Sequence, residues 1–500
     1  MDFPKTVNAL RSAFNTGKTK DLKWRKSQLR ALVKMFDEQE DVFVSALKQD
    51  LGKPKQESIL MEIKFTQNLT IEAVRNIDKW VKDEPAEKSF VTLLDSVYCH
   101  YEPLGVVLII SPWNYPLQLT VAPLVGAIAA GNCAVIKPSE FSEATAHALL
   151  DFLPKYIDND CFKVITGDVP VVQELLKIPF DHIFFTGSSN VGRIIASAAA
   201  KHLTPTTLEL GGKCPVYIHE DLARNPSKLK TAVKRLIWGK LANVGQTCVA
   251  PDYILCHSKV KLQLIDTIKT VYKEFYSEDV DNKNIGRIIS KRHFERLDKL
   301  LVTMPEEKCI MKGPHDASEN LMGLHIYSDV DETDSVMQEE IFGPILPILT
   351  VQGEEEAVNF INKRKKPLSL YIFSNNDRLT SHFIEKTSSG SVCINDALVH
   401  LSVESLPFGG VGESGYGAYH GKYSFECFSH KKSILNRGLD FIGEKIGDFR
   451  YPPYNDQKAN FGSKIIKPIS LPFGLNLFKY TVIAIIFYSF GFASSRLWNA

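Results

Sequence analysis

The sequence predicts an α/β protein with two open, mainly parallel sheets, and three observations lead to that expectation. Short apolar runs, such as residues 105–110 and 182–185, alternate with longer amphipathic stretches. The runs are continuously apolar rather than alternating, the mark of strands covered on both faces by crossover helices. The pattern then resumes after Gly212, so a second α/β unit follows the first.

In chain order, residues 20–50 and 57–82 carry apolar positions at helical spacing among charges and read as two amphipathic helices. Strands are expected at 105–110, 134–136 and 182–185 in the first unit. The second unit should contribute 215–218, 253–256, 345–350, 370–373 and 392–395. Residues 86–103 and 425–455 fit neither core and read as an arm able to pair across subunits. Near the end, 480–493 lacks any charge, and 475–493 has only Asn476 and Lys479 as strongly polar interruptions. A membrane-spanning helix needs about 17 to 25 mostly apolar residues, so this segment reads as an anchor whose Lys479, near its start, can snorkel to the interface beside Lys464 and Lys467. The alternative is an amphipathic helix lying on the catalytic domain.

Length and composition narrow the function classes. The 500 residues, 44% hydrophobic, supply cores for about three domain-sized units. Lys plus Arg at 59 against Asp plus Glu at 58 leaves a net charge of +1, so no overall field recruits nucleic acid. Nine cysteines, odd in number and without a C-x-x-C pair, argue against a disulfide framework or a structural metal site. The N-terminus lacks an apolar run of signal-peptide length, and the triplet at Asn68 reads as an accident of a helix rather than a glycosylation site.

The residues that suggest chemistry are Cys248 and Glu209. Cys248 follows Gly245-Gln246-Thr247 and precedes Val-Ala-Pro, a setting that suggests a loop or helix start with free N–H groups able to lower a thiol's pKa. Glu209 lies in a Leu-Glu-Leu run before Gly211 and Gly212, where a carboxylate is costly unless paired or working. A thiolate and a separate carboxylate can form and then hydrolyse an acyl-enzyme. The bland alternatives are a core cysteine and a salt-bridged strand-end acid.

Several strand ends add to this pair. Asn114, in Ser-Pro-Trp-Asn-Tyr-Pro after the first strand, could donate to a developing alkoxide, or could simply form a turn. The Gly187-Ser188 turn, with Gly192 in the following helix, suits a dinucleotide pyrophosphate. The same stretch mimics a P-loop, but Arg193-Ile194 stands where Lys and Ser or Thr would be needed. Lys137 and Glu140 could bond ribose hydroxyls, the acid disfavouring a 2′-phosphate, or could be a solvated pair. Glu340 and Phe342 offer a carboxylate and an aromatic for a nicotinamide ribose and ring, or an acidic helix end with a core Phe. Tyr115 and Trp238 fit either an apolar tunnel or core packing.

Taken together, these motifs, with residues 406–412 and 417–422, resemble the aldehyde dehydrogenase superfamily from about residue 20 to 454. The wording is most similar to the class 3 branch, which includes membrane-anchored fatty aldehyde dehydrogenase. The resemblance implies a Rossmann-like NAD-binding domain over 1–85 and 104–210, and a catalytic domain over 211–424. It also implies a bridging arm over 86–103 and 425–455 that makes a homodimer, a linker over 456–474 and an anchor over 475–495. By the same resemblance Cys248 is the nucleophile, Asn114 and the Cys248 N–H form the oxyanion hole, and Glu209 activates the deacylating water. Glu340 and Phe342 position the nicotinamide end of NAD (NADP being possible), Lys137 and Glu140 the adenosine ribose, and Gly187, Ser188 and Gly192 the pyrophosphate. The implied reaction is oxidation of medium- to long-chain aldehydes to acids. The implied setting is the endoplasmic reticulum membrane with the catalytic domain facing the cytosol, or else the cytoplasm. Two other readings stay open: a non-catalytic binding or structural protein on this fold, and a coenzyme A-acylating enzyme, which would have no need of Glu209. Residues 221–230 look longer than the family pattern and read as a surface insertion.

Overall fold

Seven parallel and antiparallel strands on one side and six on the other account for the continuous apolar runs. The computed structural model describes residues 2–277, 282–439 and 441–466. Its six-stranded sheet has the order Gly415–Tyr416, Thr206–Glu209, His182–Thr186, Val106–Ile110, Cys133–Lys137, Phe162–Val164. Every pairing is parallel except that of Gly415–Tyr416 with Thr206–Glu209. The chain starts in the middle at Val106–Ile110, winds outward to one edge, then returns to wind toward the other. That doubly wound order puts a topological switch between the ends of Val106–Ile110 and His182–Thr186, where such sheets bind ligands.

All five residues of Val106–Ile110, Cys133–Lys137 and His182–Thr186 are buried, which explains their unbroken apolar character. Gln118–Ala130 is buried along its whole length, as a helix apolar on every side must be. The seven-stranded sheet has the order Cys309–Met311, His325–Tyr327, Ile345–Val351, Tyr253–His257, Pro215–Ile218, Ser369–Phe373, Ser391–Ile394. Only its first strand is antiparallel. Each strand expected from the sequence is present within one or two residues of its expected bounds.

The helical opening differs from the sequence reading. The expected helix at 20–50 is two helices, Leu22–Glu38 and Glu40–Leu51, parted at Gln39, whose φ of -115° and ψ of 18° leave helical geometry. An additional helix, Phe3–Asn15, precedes them, capped by Asp2, whose side chain accepts from the Lys5 N–H. The stretch from 57 contains a π-helical turn, Ser58–Ile63, before Lys64–Trp80. Asn68 lies on that last helix. Residues 221–230 form a 3-10 turn, Glu220–Arg224, and the start of helix Pro226–Leu241, capped by Asn225.

Two compact units divide the chain. One comprises Met1–Val81 and Glu102–His430 and holds both large sheets; the other comprises Lys82–Tyr101 and the chain from Lys431. In the second, Glu84–Pro85, Ser96–Pro103 and Ser429–Asn436 make a three-stranded sheet. Arg437 fixes its loop by a bidentate contact to Asp95, from Nη2 at 2.7 Å and Nε at 3.1 Å. Among the described residues no helix is long and apolar enough to cross a membrane. The anchor expected at 475–495 lies outside the described residues.

Candidate active site

The site residues come from the carboxyl ends of the six-stranded sheet and the loops that enter the seven-stranded one. Asn114 follows Val106–Ile110, Lys137 ends Cys133–Lys137, Gly187 follows His182–Thr186, and Glu209 ends Thr206–Glu209. Cys248 precedes Tyr253–His257, while Glu340 and Phe342 precede Ile345–Val351.

Cys248 sits on a turn closed by the Ala250 N–H to the Thr247 carbonyl at 2.9 Å. Three consecutive left-handed residues precede it: Asn243 (φ 51°), Val244 (φ 56°) and Gly245 (φ 74°). Left-handed geometry is uncommon for a β-branched residue, so Val244 marks local strain held by its surroundings. Gly245 is required twice over, since a Cβ there would also lie 2.5 Å from the Gly343 carbonyl oxygen. Gln246 anchors the loop: its Nε2 donates to the Asn243 and Arg287 carbonyls at 3.2 and 3.0 Å, and its Oε1 accepts from the Ile289 N–H at 3.0 Å. Thr247 Oγ1 meets the Tyr115 hydroxyl at 2.9 Å.

The N–H groups of Cys248 and Val249 act on the sulfur and lower its pKa, but they are outweighed. Burial, then the charges of Glu340 and Glu209, push the Cys248 thiol up to about 12. The turn agrees with the loop position the sequence allowed, but the expected lowering of the thiol's pKa is corrected: burial and two acids outweigh the N–H groups of the turn.

Glu209 is 2% exposed, and neither carboxyl oxygen has a hydrogen-bond partner. Burial alone raises its pKa well above the carboxylate range. It is not the salt-bridged strand-end acid of the bland alternative. Its backbone carbonyl instead accepts from the Gly187 N–H at 3.0 Å, tying the Gly187 turn to the strand. Asn114, 3% exposed, donates from Nδ2 to the Gln246 carbonyl at 3.0 Å, which uses one of that amide's two N–H donors.

Glu340 lies against Gly211, where a Cβ would come within 2.2 Å of its Oε2, so the Leu-Gly-Gly-Lys motif leaves room for this carboxyl. Burial first, then Asp252, raise its pKa to about 8; the Gly212 N–H, Lys213 and Arg296 hold it below what burial alone would impose. Phe342 adopts a left-handed φ of 51° and packs edge-on to Trp113 with ring centroids 5.4 Å apart.

Lys137 is 1% exposed, so the solvated-pair alternative fails for the lysine. Its Nζ donates to the Pro138 carbonyl at 2.9 Å and to Glu140 at 3.0 Å, leaving a third ammonium hydrogen. Ser188 caps helix Ser189–Ala200 by accepting from the Val191 N–H. At Gly187 a Cβ would lie 2.5 Å from the Phe185 ring. Gly192 has a packing role of its own, because a Cβ there would meet Leu210 at 2.8 Å. Tyr115 is buried beneath the Cys248 loop, whereas Trp238 is 42% exposed.

Lys213 and Asp252 were missed. Lys213 donates to Asp252 and the Val336 carbonyl at 2.6 Å each and to the Glu339 carbonyl at 3.1 Å; Asp252 accepts the Ile341 N–H at 3.2 Å. They fix the Glu340 segment to the Cys248 loop. The one signal was a lysine directly after the paired glycines.

A half-buried cysteine on a turn, a buried acid without partners and a doubly wound sheet are the combination expected of a thiol enzyme that uses a nucleotide cofactor. The chain belongs to the aldehyde dehydrogenase family, whose model matches residues 1–434. It is 47% identical over 456 residues to "Aldehyde dehydrogenase family 3 member A2" of Mus musculus, covering 91% of this chain and 92% of the relative. It is 49% identical over 448 residues to "Aldehyde dehydrogenase, dimeric NADP-preferring" of Canis lupus familiaris, covering 89% and 97%. A solved structure, the substrate-bound state of Staphylococcus aureus AldH, matches with a TM-score of 0.87 and 40% identity over 93% of this chain and 99% of that one. The family 3 relatives agree with the class 3 resemblance. The enzyme oxidises aldehydes to carboxylic acids with a nicotinamide dinucleotide, NAD or NADP.

Proposed function

We propose that the enzyme acts on medium- to long-chain aliphatic aldehydes, with Cys248 as nucleophile, Asn114 as oxyanion donor and Glu209 as the base for hydrolysis. The Cys248 sulfur gives up its proton to solvent as it bonds to the aldehyde carbon, and the resulting alkoxide receives the free Asn114 N–H and the Cys248 N–H. A nicotinamide dinucleotide held by the strand-end residues would supply the hydride acceptor that turns this adduct into a Cys248 thioester. Glu209, which burial keeps protonated until water enters and lets it ionise, then takes a proton from that water as it attacks the thioester and returns it to the departing Cys248 sulfur, so that the acid leaves and the thiol is restored. The observation that carries this reading is the buried Glu209 carboxyl, without partners yet acting on the Cys248 sulfur. The coenzyme A alternative leaves that acid without a purpose.

The strand-end residues fit a dinucleotide. Lys137 retains an unused donor beside Glu140 for a ribose diol, and the Gly187-Ser188 turn opens a 12-residue helix whose first N–H groups suit a pyrophosphate. Gly192 lets that helix approach Leu210. Glu340 and Phe342 would hold the nicotinamide end. Glu140 disfavours a 2′-phosphate and so favours NAD, while the spare Lys137 donor keeps NADP possible.

The homodimer is proposed on the name of the canine relative and on the arm formed by 86–103 and 425–455, with domains bounded as the sequence suggests. A C-terminal anchor at 475–495 would place the enzyme on the endoplasmic reticulum with its catalytic part in the cytosol; a cytoplasmic enzyme is the alternative. A panel of aldehydes from short to long, with each cofactor and absorbance of the reduced nicotinamide as readout, tests the substrate class. Rising kcat/KM with chain length is expected, and a preference for short aldehydes would contradict the proposal.

A further inference from the structure

The loop that carries Asn114 is gripped by a buried ion pair outside every motif singled out in the sequence. Lys53 Nζ and Glu62 Oε1 lie 2.5 Å apart, with side chains 1% and 0% exposed. Lys53 also donates to the Asn114 carbonyl at 3.2 Å and stands 4.2 Å from the centroid of the Tyr115 ring. Glu62 Oε2 accepts the Leu117 and Gln118 N–H groups, each at 3.0 Å. Asn243 joins the two loops, its Nδ2 donating to the Asn114 carbonyl at 2.8 Å and the Gln246 carbonyl at 3.1 Å. The Asn243 N–H is in turn held by Glu57 Oε2 at 3.0 Å.

The local backbone is built for this grip. Gly52, at φ +58°, ends helix Glu40–Leu51, and a Cβ there would lie 2.6 Å from Arg287 Cγ. The chain thus reverses just before Lys53. Glu62 belongs to the π-turn Ser58–Ile63, in which Ser58, Glu62 and Ile63 are buried. Single π-turns inside helices recur at functional sites because they re-aim side chains.

Energetics point away from a purely stabilising role. Removing both ions from water costs about as much as their attraction returns, so a buried pair by itself adds little stability. What distinguishes this pair is that its remaining donors and acceptors converge on residues 114–118. We infer that Lys53 and Glu62 are positioning residues for Asn114, holding its amide where the alkoxide forms beside Cys248. The inference rests on the oxyanion role proposed above for Asn114.

The test is the double variant Lys53→Met/Glu62→Gln, which removes both charges of the pair together, compared in wild-type and Asn114→Ala backgrounds. In the wild type, kcat/KM for a long-chain aldehyde should fall about tenfold to a hundredfold, as misplaced catalytic donors do. Affinity for the reduced dinucleotide, read by nicotinamide fluorescence, should stay unchanged. In the Asn114→Ala background the same pair should cost less than about twofold more. An equal loss in both backgrounds, or no loss in the wild type, overturns the inference. If Asn114→Ala alone leaves kcat/KM unchanged, the oxyanion reading itself fails and takes the inference with it. Should the double variant not fold, Lys53→Gln/Glu62→Gln keeps a donor and an acceptor in place of the two charges and makes the same comparison with a smaller loss.

Discussion

Glu209 and Glu340 act on the same sulfur, one from the carboxyl end of the first sheet and the other from a loop entering the second. Glu209 has burial alone acting on it and no partner at either oxygen. Glu340 is raised by burial and Asp252, steadied by the Gly212 N–H, Lys213 and Arg296, and settles at about 8. A carboxyl with fixed partners stays where it is put; one without them is ready for a new partner, such as water. Burial raises both carboxyls, and the difference in their partners is what the proposed roles build on, a water-activating base for Glu209 and a positioning group for Glu340.

The largest expected effect removes the centre that both acids face. Cys248→Ala should lower aldehyde oxidation by at least about ten-thousandfold while dinucleotide affinity is retained, and residual turnover near wild type would leave the comparison without a subject. Next, Glu340→Gln should slow hydride transfer, by stopped-flow absorbance, without any accumulation of acyl-enzyme; accumulation in that variant would give Glu340 the role assigned to Glu209.

A smaller effect is read at the thiol without substrate. Glu340 precedes Glu209 among the charges that raise Cys248 to about 12. Alkylation of Cys248 by iodoacetamide near pH 9, followed by mass spectrometry, should therefore quicken roughly threefold to tenfold in Glu340→Gln and less in Glu209→Gln. The reverse order would mean that Glu209 is the nearer charge.

The smallest effect is on stability. Because the folded pKa of Glu340 is about 8 against 4.5 for the free group, the folded state keeps a proton that the unfolded chain has lost between those values. The contribution of Glu340 to stability thus falls as pH rises through that window and levels off above it. Glu340→Gln should gain Tm over wild type progressively from pH 4.5 to 8, measured by calorimetry, and a constant difference across the window would show that Glu340 is not held neutral.

Much of this was legible in the chain. Buried parallel strands write themselves as unbroken apolar runs, and Cys248, Glu209, Gly211 and Gly212 stand in motifs whose geometry demands those residue types. The break at Gln39 was not legible, since both flanking helices share one amphipathic period across it. Nor was the direction of the thiol's pKa, because burial and two distant acids outweigh the local N–H groups that the sequence suggests. Lys53 lies between the two expected helical stretches and Glu62 on the second, both among charges that look solvated; only the π-turn and the tertiary fold turn them inward.

The division of labour between the two acids is tested most directly by rapid quenching of the Glu209→Gln enzyme with a long-chain aldehyde and dinucleotide, followed by mass spectrometry of the Cys248 peptide. The expected result is a normal first burst of reduced nicotinamide with an acyl group accumulating on Cys248. A burst with no adduct at that residue, or steady turnover at the wild-type rate, would contradict it.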